Sequence, residues 1–399
     1  MSAAETKTPF VAIACGGTGG HLFPGIAVAE ELKKRGCKTG LLISPKEIDQ
    51  QAVKAARGME IFTLPAVGLQ NRNYLSFAIS FWKSFRAAKA IFRRHPPQAV
   101  LAMGGFTSAP PVLAARKFGA STFLHESNII PGRANRFLIR YVDKAFVGFP
   151  ETFARLSERK ASMTGTPVRL QFSEPSPSQT IASRVALGLK PDLPTILVVG
   201  GSQGASGLND LVLSTLPLLA SKKWQWLHLT GANDFEKVKV AYATQKLKAV
   251  VKPFLAEMEL ALGSAAMAVS RAGASSLAEL AAVRLPSLLV PFPAAADNHQ
   301  FFNALAFEKT GAARLLEQKN STPDKVAAIL GELVEGEAAR SKMRAALAQW
   351  HVPQAAGEIA ENILRVSCSS SFSLPADNAK VKGGPSRPGP SARQHFSAA

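Results

Sequence analysis

The stretch from Val11 to Gly25, VAIACGGTGGHLFPG, constrains this chain more than any other. A short apolar run, four glycines around one threonine, and Pro24 ahead of an amphipathic segment predict a strand, a tight turn and a helix over 25–35. Glycines let backbone N–H groups close on an anion, so Thr18, Gly19 and Gly20 are read as part of a main-chain cradle. The spacing fits neither common nucleotide motif, since no Lys follows the glycines and Leu22 stands where the last Gly of GxGxxG would fall. From this loop alone, a turn that only packs a helix on a sheet fits as well.

The same signature returns three times. Apolar runs at 10–14, 39–43, 60–64, 99–103, 121–125 and 144–147 alternate with helical segments at 25–35, 47–57, 75–94, 108–118 and 131–141. A polar, Pro-rich stretch over 173–179 precedes a second series, with strands at 195–199, 225–229, 249–251, 267–269 and 287–290. Helices are expected after Gly204, Asp234, Ala256, Ala274 and Asn298. This is the pattern of two α/β domains, each a parallel sheet covered on both faces, with a ligand cleft beyond the carboxyl ends of the strands. At that edge lie Gly104-Gly105-Phe106-Thr107-Ser108, Gly200-Gly201-Ser202-Gln203-Gly204 and Ser270-Arg271-Ala272-Gly273-Ala274, with Ser108 placed to cap the next helix. A site built mostly of main chain suits phosphates and sugar hydroxyls.

A chain of 399 residues, 47% hydrophobic, can bury two cores. Its formal net charge of +19, from 47 basic and 28 acidic side chains, calls for an anionic partner. Without zinc-finger spacing, an RNP-type aromatic motif or a lysine-rich recognition helix, nucleic acid is not that partner, which leaves anionic lipid and phosphorylated small molecules. Cys15, Cys37 and Cys368 show no metal-ligand spacing and are read as reduced thiols. No apolar run reaches the ~18 residues of a membrane span and the N-terminus is too polar for a secretory signal, so a cytosolic location is expected. Residues 367–399, rich in Ser, Pro and Gly and carrying Lys380, Lys382, Arg387 and Arg393, read as a disordered basic tail.

The ordered motifs GGTGGHLFPG, MGGFTSAP, HESNIIPGRANR, GTPVR, VGGSQGASGLN, SRAGASSLAEL and PFPAAADNHQFFNA, spread over residues 10–365, resemble those of the MurG family of peptidoglycan glycosyltransferases. The resemblance implies two Rossmann-like domains facing across a cleft, the GT-B fold. It implies an acceptor- and membrane-facing domain over 1–166 completed by 350–366, a donor domain over 167–349, and hinges near Thr166 and Trp350. The implied reaction moves N-acetylglucosamine from UDP-N-acetylglucosamine to the muramoyl 4-hydroxyl of lipid I, the undecaprenyl-pyrophosphoryl pentapeptide acceptor. The product is lipid II. Further implied are peripheral attachment to the cytoplasmic face of the plasma membrane and cell-wall synthesis proteins as partners. Ser202, Gln203 and the following helix would meet the donor diphosphate and sugar; Ala274, Ser275, Ser276, Leu277, Ala278 and Glu279 the nucleoside, with Glu279 on the ribose. Leu255 would border uracil, Gln300 would bind sugar hydroxyls, and Asn128 and Arg169 would reach the donor from across the cleft. Phe106 stands where many relatives carry Tyr. No Asp-x-Asp metal motif occurs, and no cofactor is expected. A different acceptor, a UDP-sugar 2-epimerase, or a nucleotide-sugar-binding protein without catalysis remain as alternatives on the same scaffold.

Two residues qualify as the base that takes the acceptor proton, His21 and Glu126, with His21 preferred. Direct displacement by a hydroxyl predicts inversion at the sugar carbon. Gly104 and Gly105 are placed at the acceptor diphosphate. The segment bearing Leu75, Ile79, Phe81, Trp82 and Phe85, followed by Lys89, Arg93 and Arg94, fits both a membrane-resting helix and a core helix with a basic face, and Arg72, Arg133, Arg136 and Arg140 would extend the basic surface.

Overall fold

The computed structural model describes residues 8–17, 19–46, 49, 50, 53, 56, 58–65, 74–156, 159–201 and 204–370. Two all-parallel sheets organise them. The first contains β1 (Phe10–Ala14), β2 (Lys38–Ile43), β3 (Glu60–Thr63), β4 (Ala99–Ala102), β5 (Ser121–Glu126), β6 (Lys144–Val147) and β7 (Ala161–Met163), in the order β3-β2-β1-β4-β5-β6-β7. The second contains β8 (Thr195–Val199), β9 (Gln225–Leu229), β10 (Ala249–Lys252), β11 (Met267–Ser270), β12 (Ser287–Leu289) and β13 (Arg314–Leu315), in the order β10-β9-β8-β11-β12-β13. Central strands β1 and β9 are buried throughout; β1 is apolar along its length, as coverage of both faces by helices requires, whereas β9 also buries Gln225 and His228.

In each sheet the winding reverses beside the first strand, between β1 and β4 and between β8 and β11. Side chains and backbone beyond those strand ends are open to a ligand because the flanking helices depart in opposite directions. The four glycine-rich loops follow those four strands. Their recurrence in the sequence therefore has a topological cause.

Several local expectations change. The first helix is Gly19–Lys34, six residues earlier than expected, with Pro24 inside it. Proline has no N–H to give the Gly20 carbonyl. That carbonyl instead accepts a hydrogen bond of 2.6 Å from Ser275 Oγ of the other domain. Helix Pro177–Ala186 lies partly in the stretch read as a linker, started by a Ser176–Gln179 capping box. Strands β7 and β13 are short, partly exposed edges without an apolar run, and the sequence pattern passed over them. The helix expected over 47–57 lies mostly outside the described residues.

The last described helix, Ala355–Ser370, returns to the first domain and packs Ala356, Ile359, Ala360 and Ile363 into its core beside Leu22 and Ile26. The two crossings between domains touch each other: a Cβ on Gly165 would stand 2.8 Å from the Val352 side chain. Trp350 stacks on Phe307 at 4.4 Å between ring centroids and meets Phe149 of the first domain at 5.5 Å. Helix Tyr74–Arg94 divides its aromatic residues: Phe81 and Phe85 turn to the core, whereas Leu75, Ile79 and Trp82 are exposed. Among the described residues no helix is long and apolar enough to cross a membrane.

Candidate active site

The loop after β1 is held from below. Asp49, fully buried, accepts hydrogen bonds from the Gly17 N–H at 2.7 Å and the Ser44 N–H at 3.1 Å. Lys46 Nζ donates to the Gly17 carbonyl and lies 5.2 Å from the Phe106 ring centroid. The Gly17 amide is thus committed to a carboxylate and is not left for a ligand. Thr18 lies outside the described residues.

His21, in that first turn, lies against the turn after β4. A Cβ on Gly104 would come within 2.9 Å of the imidazole and one on Gly105 within 3.1 Å, and both residues have positive φ. Only paired glycines let the ring lie flat on the backbone there. Nδ1 is sealed in and finds no hydrogen-bond partner within normal limits. Burial holds the ring below the usual imidazole range, opposed by the charge of Glu126, the Met103 backbone and Asp49, and reinforced by His299. The imidazole is therefore neutral near pH 7, the form a general base requires. The Gly104 N–H is already bonded to Ser108 Oγ at 3.0 Å. Ser108 closes this turn and makes no side-chain cap to the following helix, a correction to its expected role. Of the two glycines expected at the acceptor diphosphate, Gly104 thus has its amide engaged within the turn.

Glu126, at the end of β5 and 2% exposed, is surrounded by donors. Oε1 accepts from the Asn128 N–H at 2.9 Å and Asn128 Nδ2 at 3.0 Å. Oε2 accepts from the Gly132 N–H at 2.8 Å and Asn135 Nδ2 at 2.9 Å. Four N–H groups on one carboxylate describe the organiser of the 127–132 loop. Neighbouring His125 is equally committed, with Nε2 on the Gly165 carbonyl, Nδ1 meeting Ser127 Oγ, and a ring pushed down to about 4 by burial.

Asn128 continues across the cleft. Its Oδ1 accepts from Asn303 Nδ2 at 3.0 Å, which also donates to the Ala272 carbonyl at 3.2 Å, while Asn303 Oδ1 accepts from the Ile129 N–H at 3.1 Å. The fully buried Asn303 side chain thus joins the Glu126 loop to the loop after β11. On the exposed rim, Arg136 pairs with Asp297 and Arg133 lies 4.0 Å from it. These two arginines face the second domain, although the sequence placed them on a free basic surface.

On the second domain, Ser275 opens the helix Ala274–Ala282 and reaches Gly20, and Ser276 lies in the same turn. Leu277 is buried on the core side of that helix and Ala278 is half-buried. Glu279 is half-buried, and desolvation pushes its carboxyl up to about 7, opposed by the Arg169 guanidinium and reinforced by Glu259. Arg169 is 6% exposed and lies between Phe23 and Phe172, 4.4 and 4.9 Å from their ring centroids; its Nε and Nη2 have no acceptor. Gln300 Oε1 ties together the Ala272 and Phe292 amides, at 3.2 and 3.0 Å. Leu255 belongs to the core, whereas Phe254 beside it is exposed. Ser202 and Gln203 lie outside the described residues. Among the described residues no group of three or more His, Cys, Asp or Glu is arranged to hold a metal ion.

Comparison with known proteins decides the family. The model of the glycosyltransferase family 28 N-terminal domain matches residues 11–147 and that of the C-terminal domain residues 195–359. A relative from an Anaeromyxobacter species, a UDP-N-acetylglucosamine–N-acetylmuramyl-(pentapeptide) pyrophosphoryl-undecaprenol N-acetylglucosamine transferase, is 36% identical, covering 94% of this chain and 98% of its own. The chain belongs to the MurG family of glycosyltransferases. A similarly named relative from Nitratidesulfovibrio vulgaris is 36% identical over 89% of this chain and 97% of its own. The crystal structure of Acinetobacter baumannii MurG superimposes with a TM-score of 0.69 at 26% identity, over 90% of this chain and 99% of that one. A UDP-N-acetylglucosamine 2-epimerase shares the fold, with a TM-score of 0.65 at 14% identity over 91% of this chain and 98% of that one.

This MurG-family cleft also contains residues that sequence reading passed over. Asn303 stands inside the quoted PFPAAADNHQFFNA motif, but its long-range bonds leave no local signature. Arg271 donates through Nη1 to the Val290 and Pro291 carbonyls and through Nη2 to Gln318 Oε1, joining the loop after β12 to the turn beside Gly207. Behind the GGSQG loop, buried His228 and Asn209 are bonded at 3.0 Å, and Asn209 continues to Asp234 at 2.8 Å, fixing the start of helix Ser206–Leu219.

Proposed function

We propose that the chain transfers N-acetylglucosamine from UDP-N-acetylglucosamine to the 4-hydroxyl of the muramoyl sugar of lipid I, giving lipid II. The donor lies on the second domain. Glu279 accepts the ribose hydroxyls, the amides of the GGSQG loop and the N-terminus of helix Ser206–Leu219 meet the diphosphate, and the open donors of Arg169 neutralise charge on departing UDP. Arg169 is stacked and buried, so its charge is fixed in place before reaction.

The acceptor hydroxyl attacks the anomeric carbon from the face opposite UDP. As the new C–O bond forms, the bond from that carbon to the diphosphate oxygen breaks, its electron pair leaves with UDP, and the hydroxyl proton passes to His21 Nε2. The product is inverted at that carbon. The observation that supports His21 over Glu126 is the saturation of the carboxylate by four N–H groups, while the His21 side chain stays partly exposed. Leu75, Ile79 and Trp82, with Lys83, Arg86 and Lys89 on the same helix, would rest on the anionic membrane surface that carries lipid I. That surface is the cytoplasmic face of the plasma membrane.

Incubation with labelled UDP-N-acetylglucosamine and a short-chain lipid I, followed by identification of a β-linked disaccharide, tests the reading. Release of labelled N-acetylmannosamine without transfer to the lipid would replace it with the epimerase.

A further inference from the structure

Two buried polar atoms without partners flank the turn after β4: His21 Nδ1 and Asn135 Oδ1. A Cβ on Gly104 would stand 3.2 Å from His21 Nδ1 and 3.4 Å from Asn135 Nδ2, so the imidazole and the carboxamide border the same point. Unpaired buried polar atoms are uncommon in folded proteins, and a ring N–H meeting an amide oxygen removes two at once. The amide is not free to turn. Its nitrogen donates to Glu126 Oε2 at 2.9 Å and to the His125 carbonyl at 3.1 Å, and two acceptors on one side fix the nitrogen there.

We propose that Asn135 is a positioning residue for His21: its Oδ1 accepts the Nδ1–H across one water and holds the ring in the tautomer whose Nε2 lone pair faces the cleft. The Met103 carbonyl also lies beside the ring and can only accept. Glu126, Asp49, His299 and His125 are the charged or titratable groups that interact with the ring. Glu126 then contributes through Asn135 by aligning the amide. The catalytic meaning of this contact rests on His21 being the base.

Nitrogen-15 spectra of histidine-labelled enzyme, with the His21 signal assigned through His21→Gln, read the tautomer without reference to activity. The native enzyme is expected to carry its proton on Nδ1. Asn135→Leu, which keeps the volume and removes the acceptor, is expected to move population to the other tautomer. It should also lower kcat about 10- to 100-fold with KM for both substrates within about twofold, short of the roughly 10⁴-fold cost where a buried carboxylate is the orienter. A native ring protonated on Nε2, or a tautomer unchanged in Asn135→Leu, overturns the proposal; the first needs no variant to fold. If His21→Gln keeps kcat, the base assignment falls, while the spectra still decide the contact.

Discussion

Glu126 and His21 share one pocket, yet their surroundings fit them for different work. The carboxylate has every accessible lone pair engaged, whereas the imidazole is neutral and partly exposed. His21→Gln should leave the melting temperature nearly unchanged and lower kcat by about 10²–10⁴, the usual share of a general base. Glu126→Gln puts an N–H₂ where two donors already point, and should lose about 1–3 kcal/mol of folding stability together with activity. Equal stability of the two variants would contradict this division. Glu279 adds a pH dependence. Its folded carboxyl keeps a proton up to about 7 whereas an ordinary Glu loses it near 4.5, so this residue's stabilising contribution is complete below 4.5 and lost as pH rises through 7. The ribose needs the ionised form, so donor affinity should weaken as pH falls below about 7, and Glu279→Gln should flatten that slope in a titration of UDP binding. The chemical identity of these residues was legible in sequence because the glycines and carboxylates stand in short motifs. The state of each, saturated, open or desolvated, depends on partners far along the chain.

Helix Gly19–Lys34 shows the same division between elements and their edges. Proline read as a start signal led to a helix beginning at residue 25, but the missing N–H at Pro24 is compensated by Ser275 of the other domain, which no local pattern reveals. Core strands were legible as apolar runs, whereas β7 and β13, narrow and partly exposed, carry no such run. Helix Tyr74–Arg94 fitted both a core and a membrane reading, and its residues divide between the two faces. Phe81→Ala should therefore cost about 1–3 kcal/mol of stability and leave vesicle binding intact. Combined Leu75→Ala, Ile79→Ala and Trp82→Ala should keep stability and weaken vesicle binding at least tenfold, since exposed apolar side chains lose most on leaving the bilayer. Sedimentation with lipid vesicles and chemical denaturation separate the two outcomes. Asn303→Leu removes three bonds, two of them across the cleft, and should lower the thermal midpoint and raise the donor KM because Ala272 leads into helix Ala274–Ala282.

Across the whole molecule, the +19 charge and the two-lobed fold place different demands on the same surface. Arg133 and Arg136 meet Asp297 of the second domain, and exposed pairs of this kind add little stability. The basic residues of helix Tyr74–Arg94 stand beside its exposed apolar side chains, where each cation near an anionic surface is worth about 1 kcal/mol at moderate salt. Residues 371–399 hold only four of the chain's Lys and Arg residues and one Asp, so most of the excess charge belongs to the folded part. Truncation after residue 370 should accordingly change binding to anionic vesicles by less than about threefold, since only four cations go with it and charges farther than a Debye length from the surface are screened. Raising the ionic strength should weaken binding of full-length and truncated proteins in parallel, leaving a residual set by Leu75, Ile79 and Trp82. A truncated protein whose binding no longer responds to salt would move the electrostatic attachment from the helix to the tail.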